Sequence, residues 1–164
     1  MEINLIPFHK LNKVQISELE KIIQNANIMQ FIGTGNIWSH DHLVDLINYS
    51  REDSKKEIRE YYYFGIVISN GELVGFLNVH PCPRFLNNGS CLQLQYGLSP
   101  EFQGYGYMSQ SISKLLKLIN GPLYIIVRWD NKKSISVAER QFHFVKKIYI
   151  KDQVYYVYQS NTTG

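Results

Sequence analysis

A pair of glycines near the middle of the chain separates a segment typical of a strand from one typical of a helix. Gly104 and Gly106 lie in residues 103–108 (QGYGYM). A turn of this kind directs several backbone N–H groups at one point, and the helix dipole adds partial positive charge there. Such a place binds anions, most often phosphate, and glycine lets the anion approach the backbone. The same glycines also suit a structural turn that needs positive φ, and their spacing leaves both interpretations open.

Two other phosphate-binding motifs are excluded by their residues. A P-loop would continue into Gly-Lys-Ser or Gly-Lys-Thr, and no such tripeptide follows here. A Rossmann fingerprint needs a third glycine early in the chain and an acidic residue some way beyond it. Residues 104–106 supply only Gly-x-Gly, past the middle of the chain. An unrelated nucleotide-binding module is therefore the alternative that a ligand test has to separate.

Few side chains are suited to acid–base chemistry. His80 ends a predicted strand just before Pro81, and an imidazole can exchange a proton near neutral pH, so His80 is a candidate general base. A lone histidine is also commonly structural, and a water held by backbone carbonyls would serve equally well. Gln93 and Gln95 in the next predicted strand carry amides, which cannot take a proton. The sequence does not decide which group is the base.

The cysteines and histidines do not have the spacing of metal ligands. Cys82 and Cys91 form no Cys-x-x-Cys pair, and the five histidines are scattered, whereas zinc needs three or four ligands. We therefore predict no metal site. We interpret the two cysteines as free thiols in a reducing compartment.

Length, charge and hydropathy favour a small soluble protein. The 164 residues fit one domain, predicted over residues 1–160 with a frayed tail at residues 161–164. The net charge of +3 suits a small anionic ligand, and the scattered Lys and Arg residues indicate no nucleic-acid partner. No apolar run is long enough to span a membrane, and the N-terminus lacks signal-peptide anatomy. We expect a cytoplasmic protein with no membrane partner.

Hydrophobic periodicity predicts a mixed α/β fold. The predicted order is strand, helix, helix, three strands, helix, strand, helix and two strands. A capping box at Ser17 and Glu20 should open the first helix, and Ser39 should cap the second. Hairpin turns are predicted at Asn70-Gly71 and around residues 151–152. The glycine turn then lies inside a strand–helix–strand crossover that runs from Leu92 to Trp129.

Two segments resemble a known family. Residues 100–112 (PEFQGYGYMSQSI) resemble the acetyl-CoA pyrophosphate loop of the GNAT superfamily of N-acetyltransferases, Gln/Arg-x-x-Gly-x-Gly/Ala. Residues 129–139 (WDNKKSISVAE) resemble the family's Asn-x-x-Ser-x-x-x-Ala-Glu segment. Residues 26–47 are similar to the early helix–loop–helix of the branch that includes ribosomal-protein N-terminal acetyltransferases. The resemblance covers most of the chain and is closest to that branch.

The resemblance implies a fold, an activity and a set of site residues. The fold is a mixed, mostly antiparallel seven-stranded sheet with a parallel split at strands 4 and 5, flanked by about four helices. The activity is direct transfer of an acetyl group from acetyl-CoA to a primary amine, on a protein or peptide N-terminus or on a small amine. Ser134 would protonate the departing thiolate, with His80 as the candidate base. The residues that would bind acetyl-CoA are Leu98, Gln103, Gly104, Tyr105, Gly106, Tyr107, Met108, Asn131 and Ser134.

Three positions depart from the family pattern. Met108 stands where glycine or alanine is usual, His143-Phe144 lacks the preceding glycine, and Ala138 occupies the position of a tyrosine found in many other relatives. These departures leave an alternative open, a catalytically degenerate GNAT protein that binds CoA as a sensor or assembly module. The tyrosine-rich final hairpin allows either a monomer or a homodimer.

Overall fold

The computed structural model describes residues 2–33 and 35–161. The predicted frayed tail falls largely outside the described residues, apart from Asn161. The prediction of a single domain over residues 1–160 stays a prediction. No helix within the described residues is both long and apolar enough to cross a membrane.

In the described part of the chain, seven strands form one sheet in the order β1-β2-β3-β4-β5-β7-β6. Of these neighbouring pairs, β4 and β5 run parallel and the other five are antiparallel. This confirms the predicted mixed sheet with its parallel pair at strands 4 and 5. The strands are β1 (Ile3–Pro7), β2 (Tyr62–Ile68), β3 (Leu73–Pro81), β4 (Leu92–Leu98), β5 (Leu123–Arg128), β6 (Phe142–Ile150) and β7 (Gln153–Ser160).

Five α-helices flank the sheet within the described residues, one more than the sequence predicted. They are α1 (Lys13–Ile23), α2 (Ala26–Met29), α3 (His40–Asp53), α4 (Tyr107–Leu118) and α5 (Lys132–Ala138). The additional helix, α2, has four residues, too few to show a periodic pattern. Short 3₁₀ turns lie at Phe8–Lys10, Asn87–Gly89 and Pro100–Phe102.

The start of α1 differs from the prediction. Asn12 is its N-cap, and the Asn12 and Gln15 side chains each accept a hydrogen bond from the other's backbone N–H. This reciprocal pair already satisfies the first N–H groups of the helix, so Ser17 lies inside α1 and the capping box predicted there is wrong. The predicted cap of α3 is confirmed, because Oγ of Ser39 accepts from the backbone N–H of His42 at 3.1 Å.

The two parallel strands diverge soon after they meet. Their only register pairs are Leu92 with Leu123 and Gln93 with Tyr124. Beyond these pairs β4 stays with β3 as far as Leu98, and β5 stays with β7. The sheet therefore opens between β4 and β5, and we call this opening the split.

Helices cover both faces of the sheet and form two separate cores. On one face α4 buries Ile112 and Leu115 completely. On the other face α1 and α3 bury Leu19 and Leu43. Each such burial stabilises the fold by about 1.5–3 kcal/mol. Because side chains alternate along a strand, adjacent residues of β4 face different cores.

The prediction that the cysteines are free thiols is wrong. Cys82 and Cys91 form a disulfide, with their Cα atoms 5.2 Å apart. The reason is the β3–β4 register: Pro81 pairs with Leu92, so the next residue outward on each strand is a cysteine. Neighbouring antiparallel positions at this distance can be bridged.

Candidate active site

The glycine turn joins the end of β4 to the start of α4. Gly104 has φ +87° and Gly106 has φ +79°, values in the left-handed region that other residues rarely adopt. A Cβ atom on Gly104 would meet no heavy atom within 4 Å, so the backbone there borders open space. Gly106 is the N-cap of α4 and supplies no side-chain hydrogen bond to the helix. At Gly104 and Gly106 the turn therefore presents bare backbone at the positive end of a twelve-residue helix.

The larger side chains of the turn point in different directions. Tyr105 is 66% exposed, whereas Tyr107 and Met108 are buried in the core under α4. The Met108 side chain therefore packs away from the open side of the turn. Met108 replaces the glycine or alanine usual in the family, but its larger side chain lies in the core and does not obstruct the approach to Gly104.

A lysine from another element reaches the turn. The Gln103 side chain donates to the carbonyl oxygen of Leu98 at 3.3 Å and accepts from Nζ of Lys133 at 3.0 Å. Lys133 lies in α5, so the two predicted segments meet in space although about thirty residues separate them. Its ammonium adds positive charge beside the turn, which suits an anionic ligand.

Asn131 is the N-cap of α5, since its Oδ1 accepts from the backbone N–H of Ser134 at 3.3 Å. Just before it, Arg128 and Asp130 form two hydrogen bonds of 2.6 and 2.9 Å. The hydrogen bond from Arg128 lowers the pKa of the Asp130 carboxyl. This ion pair bridges the turn between β5 and α5.

Ser134 is held from across the split by a tyrosine of β4. The hydroxyl of Tyr96 lies 2.6 Å from Oγ of Ser134 and also donates to the Ser134 carbonyl oxygen at 3.0 Å. Burial raises the pKa of Tyr96 to about 12, so its hydroxyl keeps its proton at neutral pH. The pair can therefore support a proton donor at Ser134.

His80 lies on the other face of the sheet. It lines a small cavity together with Asn78 of β3 and Gln95 of β4. Nδ1 of His80 lies 2.9 Å from the carbonyl oxygen of Pro81. That nitrogen donates in the neutral ring, which leaves Nε2 with a lone pair that can accept a proton. Gln95 faces this cavity and its neighbour Tyr96 faces Ser134, so β4 separates the two candidate groups.

The sequence match extends over most of the chain. A family model described as acetyltransferase (GNAT) domain matches residues 9–141. The chain belongs to the GNAT acetyltransferase family. No curated protein matches it.

Solved GNAT structures share the fold at low sequence identity. RimL, a ribosomal L7/L12 alpha-N-protein acetyltransferase in complex with coenzyme A, is 20% identical, with a TM-score of 0.69 over 96% of this chain and 92% of that chain. Spermidine N-acetyltransferase from Vibrio cholerae, in complex with CoA and spermine, is 19% identical, with a TM-score of 0.71 over 96% of this chain and 92% of that chain. A phosphinothricin acetyltransferase from Sinorhizobium meliloti, in complex with AcCoA, is 13% identical, with a TM-score of 0.69 over 97% and 88%.

Three residues near these groups were not predicted from the sequence. Tyr96 contacts Ser134, Lys133 contacts Gln103 and Asn78 lines the cavity, each beside residues distant in the chain, so no local motif marks them. The alternation of β4 could have singled out Tyr96, because it places Tyr96 on the face opposite Gln93 and Gln95. Within the described residues, no group of three or more His, Cys, Asp or Glu side chains could hold a metal ion.

Proposed function

We propose that this GNAT protein is an acetyl-CoA-dependent N-acetyltransferase that transfers an acetyl group directly to a primary amine. The observation that carries the proposal is the arrangement around β4. The uncapped glycine turn and Ser134 lie towards one face of the sheet, and the cavity with His80 lies on the other. Donor and acceptor can then approach the split from opposite sides.

The residues around the glycine turn fit acetyl-CoA. The open space at Gly104, the helix N-terminus at Gly106 and the nearby Lys133 ammonium suit a pyrophosphate. RimL and the spermidine acetyltransferase were both solved with CoA, which supports the same ligand here. Leu98, Tyr105 and Asn131 would lie along the same path. The side chains of Tyr107 and Met108 are buried in the core, so these two residues would contribute through their backbone at the start of α4.

The proposed reaction requires one proton transfer on each side of the split. Bound acetyl-CoA supplies the acyl group as a thioester. Nε2 of His80 accepts the proton that the amine nitrogen loses as the new C–N bond forms. On the other face, Oγ of Ser134 donates a proton to the sulfur as the C–S bond breaks. In the same step the Tyr96 hydroxyl passes its proton to Oγ of Ser134, and Tyr96 regains a proton from solvent after the thiol leaves.

The first test is thermal unfolding with acetyl-CoA, ATP and NADH in parallel. A ligand at about a hundred times its Kd stabilises by roughly 2.7 kcal/mol, which for a domain of this size is about 5–10 °C in midpoint. We expect this shift with acetyl-CoA alone. A larger shift with a nucleotide, or none with acetyl-CoA, would contradict the proposal.

Turnover is then tested by thiol release against a set of amines, with the mass of one acetyl group sought on the acceptor. The set contains peptides with free N-termini, polyamines, aminoglycosides and lysine derivatives. Binding of acetyl-CoA without thiol release from any amine would favour the alternative, a degenerate GNAT protein that acts as a sensor or assembly module.

A further inference from the structure

The last hairpin and the end of β5 form an open face of the sheet. In the β6–β7 register, Lys147 lies opposite Tyr156 and Tyr149 lies opposite Val154. The backbone N–H of Trp129 donates to the carbonyl oxygen of Val154 at 3.1 Å, so Trp129 continues β5 beside that pair. Residues placed in this way project their side chains to one face of the sheet. We call this set the aromatic face, and its members are Trp129, Phe144, Lys147, Tyr149 and Tyr156.

Three rings of the aromatic face lie open to solvent. Tyr149 is 75% exposed, Phe144 is 49% exposed and Trp129 is 45% exposed. Phe144 also meets the Tyr156 ring edge-on, with 5.8 Å between the ring centroids, so Phe144 belongs to the same group. Single exposed apolar side chains are ordinary, whereas a group of neighbouring ones marks a place that binds a partner.

Two lysines place their ammonium groups among these rings. Nζ of Lys147 lies 5.8 Å from the centroid of the Tyr156 ring. Nζ of Lys132 lies 5.5 Å from the centroid of the Trp129 ring. Lys133, the next residue along α5, instead reaches the glycine turn. The aromatic face therefore has cations of its own, separate from the one that lies beside the glycine turn.

The positive charge of the protein is concentrated in the segment that builds this face. Residues 128–152 contain seven Lys and Arg residues against three Asp and Glu, whereas residues 1–127 contain ten against eleven. Of the three acids, Asp130 pairs with Arg128. Glu139 accepts from the Tyr158 hydroxyl at 3.4 Å. The expectation of no nucleic-acid partner depended on scattered Lys and Arg residues, and the fold instead gathers several of them at the β5–β7–β6 end of the sheet.

Open rings beside ammonium groups match the chemistry of a single-stranded nucleic acid. Its bases stack on aromatic side chains, and its phosphates accept hydrogen bonds from lysine. Positions on one face of a sheet lie about 5 Å apart between neighbouring strands and about 7 Å apart along one strand. Successive bases of an extended strand can follow that spacing. A duplex keeps its bases stacked inside, and an acidic peptide would use the lysines but leave the rings without a role.

We propose that the aromatic face binds a single-stranded nucleic acid. Trp129, Phe144 and Tyr149 stack on bases, and Lys132 and Lys147 bind the phosphates between them. This binding goes beyond acetyl transfer and does not depend on it, because no member of the aromatic face lies in the glycine turn or lines the cavity with His80.

Fluorescence anisotropy of the whole protein tests the proposal with a fluorescein-labelled oligouridine of about twelve nucleotides, within the usual range of site sizes. The comparison probes are an abasic oligomer of the same length and charge and a polyglutamate peptide of the same length. We expect oligouridine to bind at least about tenfold more tightly than either, since it alone offers both bases and phosphates. Its affinity should fall about sevenfold between about 50 and about 200 mM salt, as two phosphate contacts on a single strand require.

The comparison on wild type can also refute the proposal. Equal binding of the abasic oligomer would show that the rings do not stack on bases. Equal or tighter binding of polyglutamate would identify an acidic polypeptide as the partner instead. Either result, or no binding of oligouridine at the lower salt concentration, would overturn the inference.

Two variants locate the binding at the aromatic face. Tyr149→Ser removes an exposed ring and should weaken oligouridine at least about fivefold, with the abasic oligomer unaffected. Lys147→Gln should weaken both oligomers and reduce the salt dependence by one phosphate contact. The matched controls, Tyr49→Ser and Lys13→Gln, make the same changes at exposed positions of α3 and α1 on the opposite face of the sheet, and should change no affinity. Equal affinities in Tyr149→Ser and wild type would overturn the assignment.

Saturating CoA separates the aromatic face from the glycine turn, which also attracts phosphates. We expect the affinity for oligouridine to be the same with and without CoA. Complete displacement by CoA would place the RNA at the glycine turn and overturn the inference. Failure of acetyl-CoA to bind would instead contradict the proposed function, and the measurement with oligouridine alone would stand.

Discussion

The hydroxyl of Tyr96 on β4 lies 2.6 Å from Oγ of Ser134 on α5. The two residues are separated by 38 positions in the chain and face each other across the opening between β4 and β5. In the proposed mechanism this hydroxyl is protonated at neutral pH and supplies the proton that replaces the one Ser134 gives to the sulfur. Tyr96 would therefore act through Ser134, as a positioning residue.

Tyr96→Phe should lower kcat about fivefold, the loss expected for one hydrogen bond, with acetyl-CoA affinity unchanged. Steady-state kinetics and calorimetry with acetyl-CoA check the two halves of this prediction. The control is Tyr124→Phe, which removes a hydroxyl that accepts from Asn87 near the closed end of the split. An equal fall in kcat in both variants would mean that the Tyr96 effect is not specific to Ser134.

Ser134→Ala should lower kcat by about tenfold or more at similar acetyl-CoA affinity, because it removes the proton donor to the sulfur. When Ser134 is already alanine, Tyr96→Phe should not lower kcat further, because the serine hydroxyl that Tyr96 supports is absent. A double-mutant cycle on kcat measures this coupling. Strict additivity would show that the two hydroxyls act independently, and an unchanged kcat in Ser134→Ala would remove Ser134 from the mechanism.

The free energy of unfolding should fall at high pH, partly because the Tyr96 hydroxyl has a higher pKa in the folded chain than in the unfolded chain. Burial raises the pKa of the folded-state Tyr96 hydroxyl to about 12 from the ordinary 10. Above about pH 10 the unfolded chain loses this proton while the folded chain keeps it, so stability declines between about pH 10 and about pH 12. Urea unfolding at about pH 9 and about pH 11 should show a decline about 1 kcal/mol smaller in Tyr96→Phe than in wild type.

Tyr63 provides the comparison, because burial raises its pKa to about 12 as well. Tyr63→Phe should therefore reduce the high-pH decline to a similar degree. An identical decline in wild type and Tyr96→Phe would show that the Tyr96 hydroxyl is not buried in the folded protein.

Gly104→Asp should weaken acetyl-CoA binding by at least about tenfold, because it places a negative charge where the pyrophosphate would lie. The matched variant is Gly104→Asn, which has the same shape without the charge and tolerates the positive φ of this position. Calorimetry should find a much smaller loss for the asparagine. Equal affinities for the aspartate variant and wild type would show that the glycine turn does not bind the pyrophosphate.

The disulfide should stabilise the folded protein by about 2–3 kcal/mol, the value expected for closing a short loop. The two cysteines are separated by nine positions. Urea unfolding with and without a reductant should show this difference in wild type. Cys82→Ser should unfold at the lower stability under both conditions. A wild-type midpoint that does not respond to the reductant, with two free thiols by titration, would contradict the bond.

Local signals in the sequence predicted much of the fold. The cap of α3 at Ser39, the turn at Asn70-Gly71 and the positive φ of Gly104 and Gly106 each depend on residues within a few positions of one another. Hydrophobic periodicity also predicted the seven strands and the strand–helix–strand crossover, and the family resemblance then supplied the split between strands 4 and 5.

The remaining features depend on register between distant strands. The disulfide follows from the pairing of Pro81 with Leu92, and the shared face of Asn78 and Gln95 follows from the same ladder. A shift by one residue would have turned all of these side chains to the opposite face. The sequence marks the ends of strands but not their register, which is why Asn78 and Tyr96 were not predicted as site residues.

Only two register pairs, at Leu92 and Gln93 of β4, join the first four strands of the sheet to the last three. Beyond these pairs, β4 and β5 each form an edge inside the sheet. The backbone N–H and C=O groups along such an edge are spaced to pair with another extended chain. A ligand arm that carries amides can lie in that gap as a short guest strand and set the angle between the two halves. Under the proposed function, the donor would bind where one ladder of the sheet is incomplete, and its binding would complete the secondary structure.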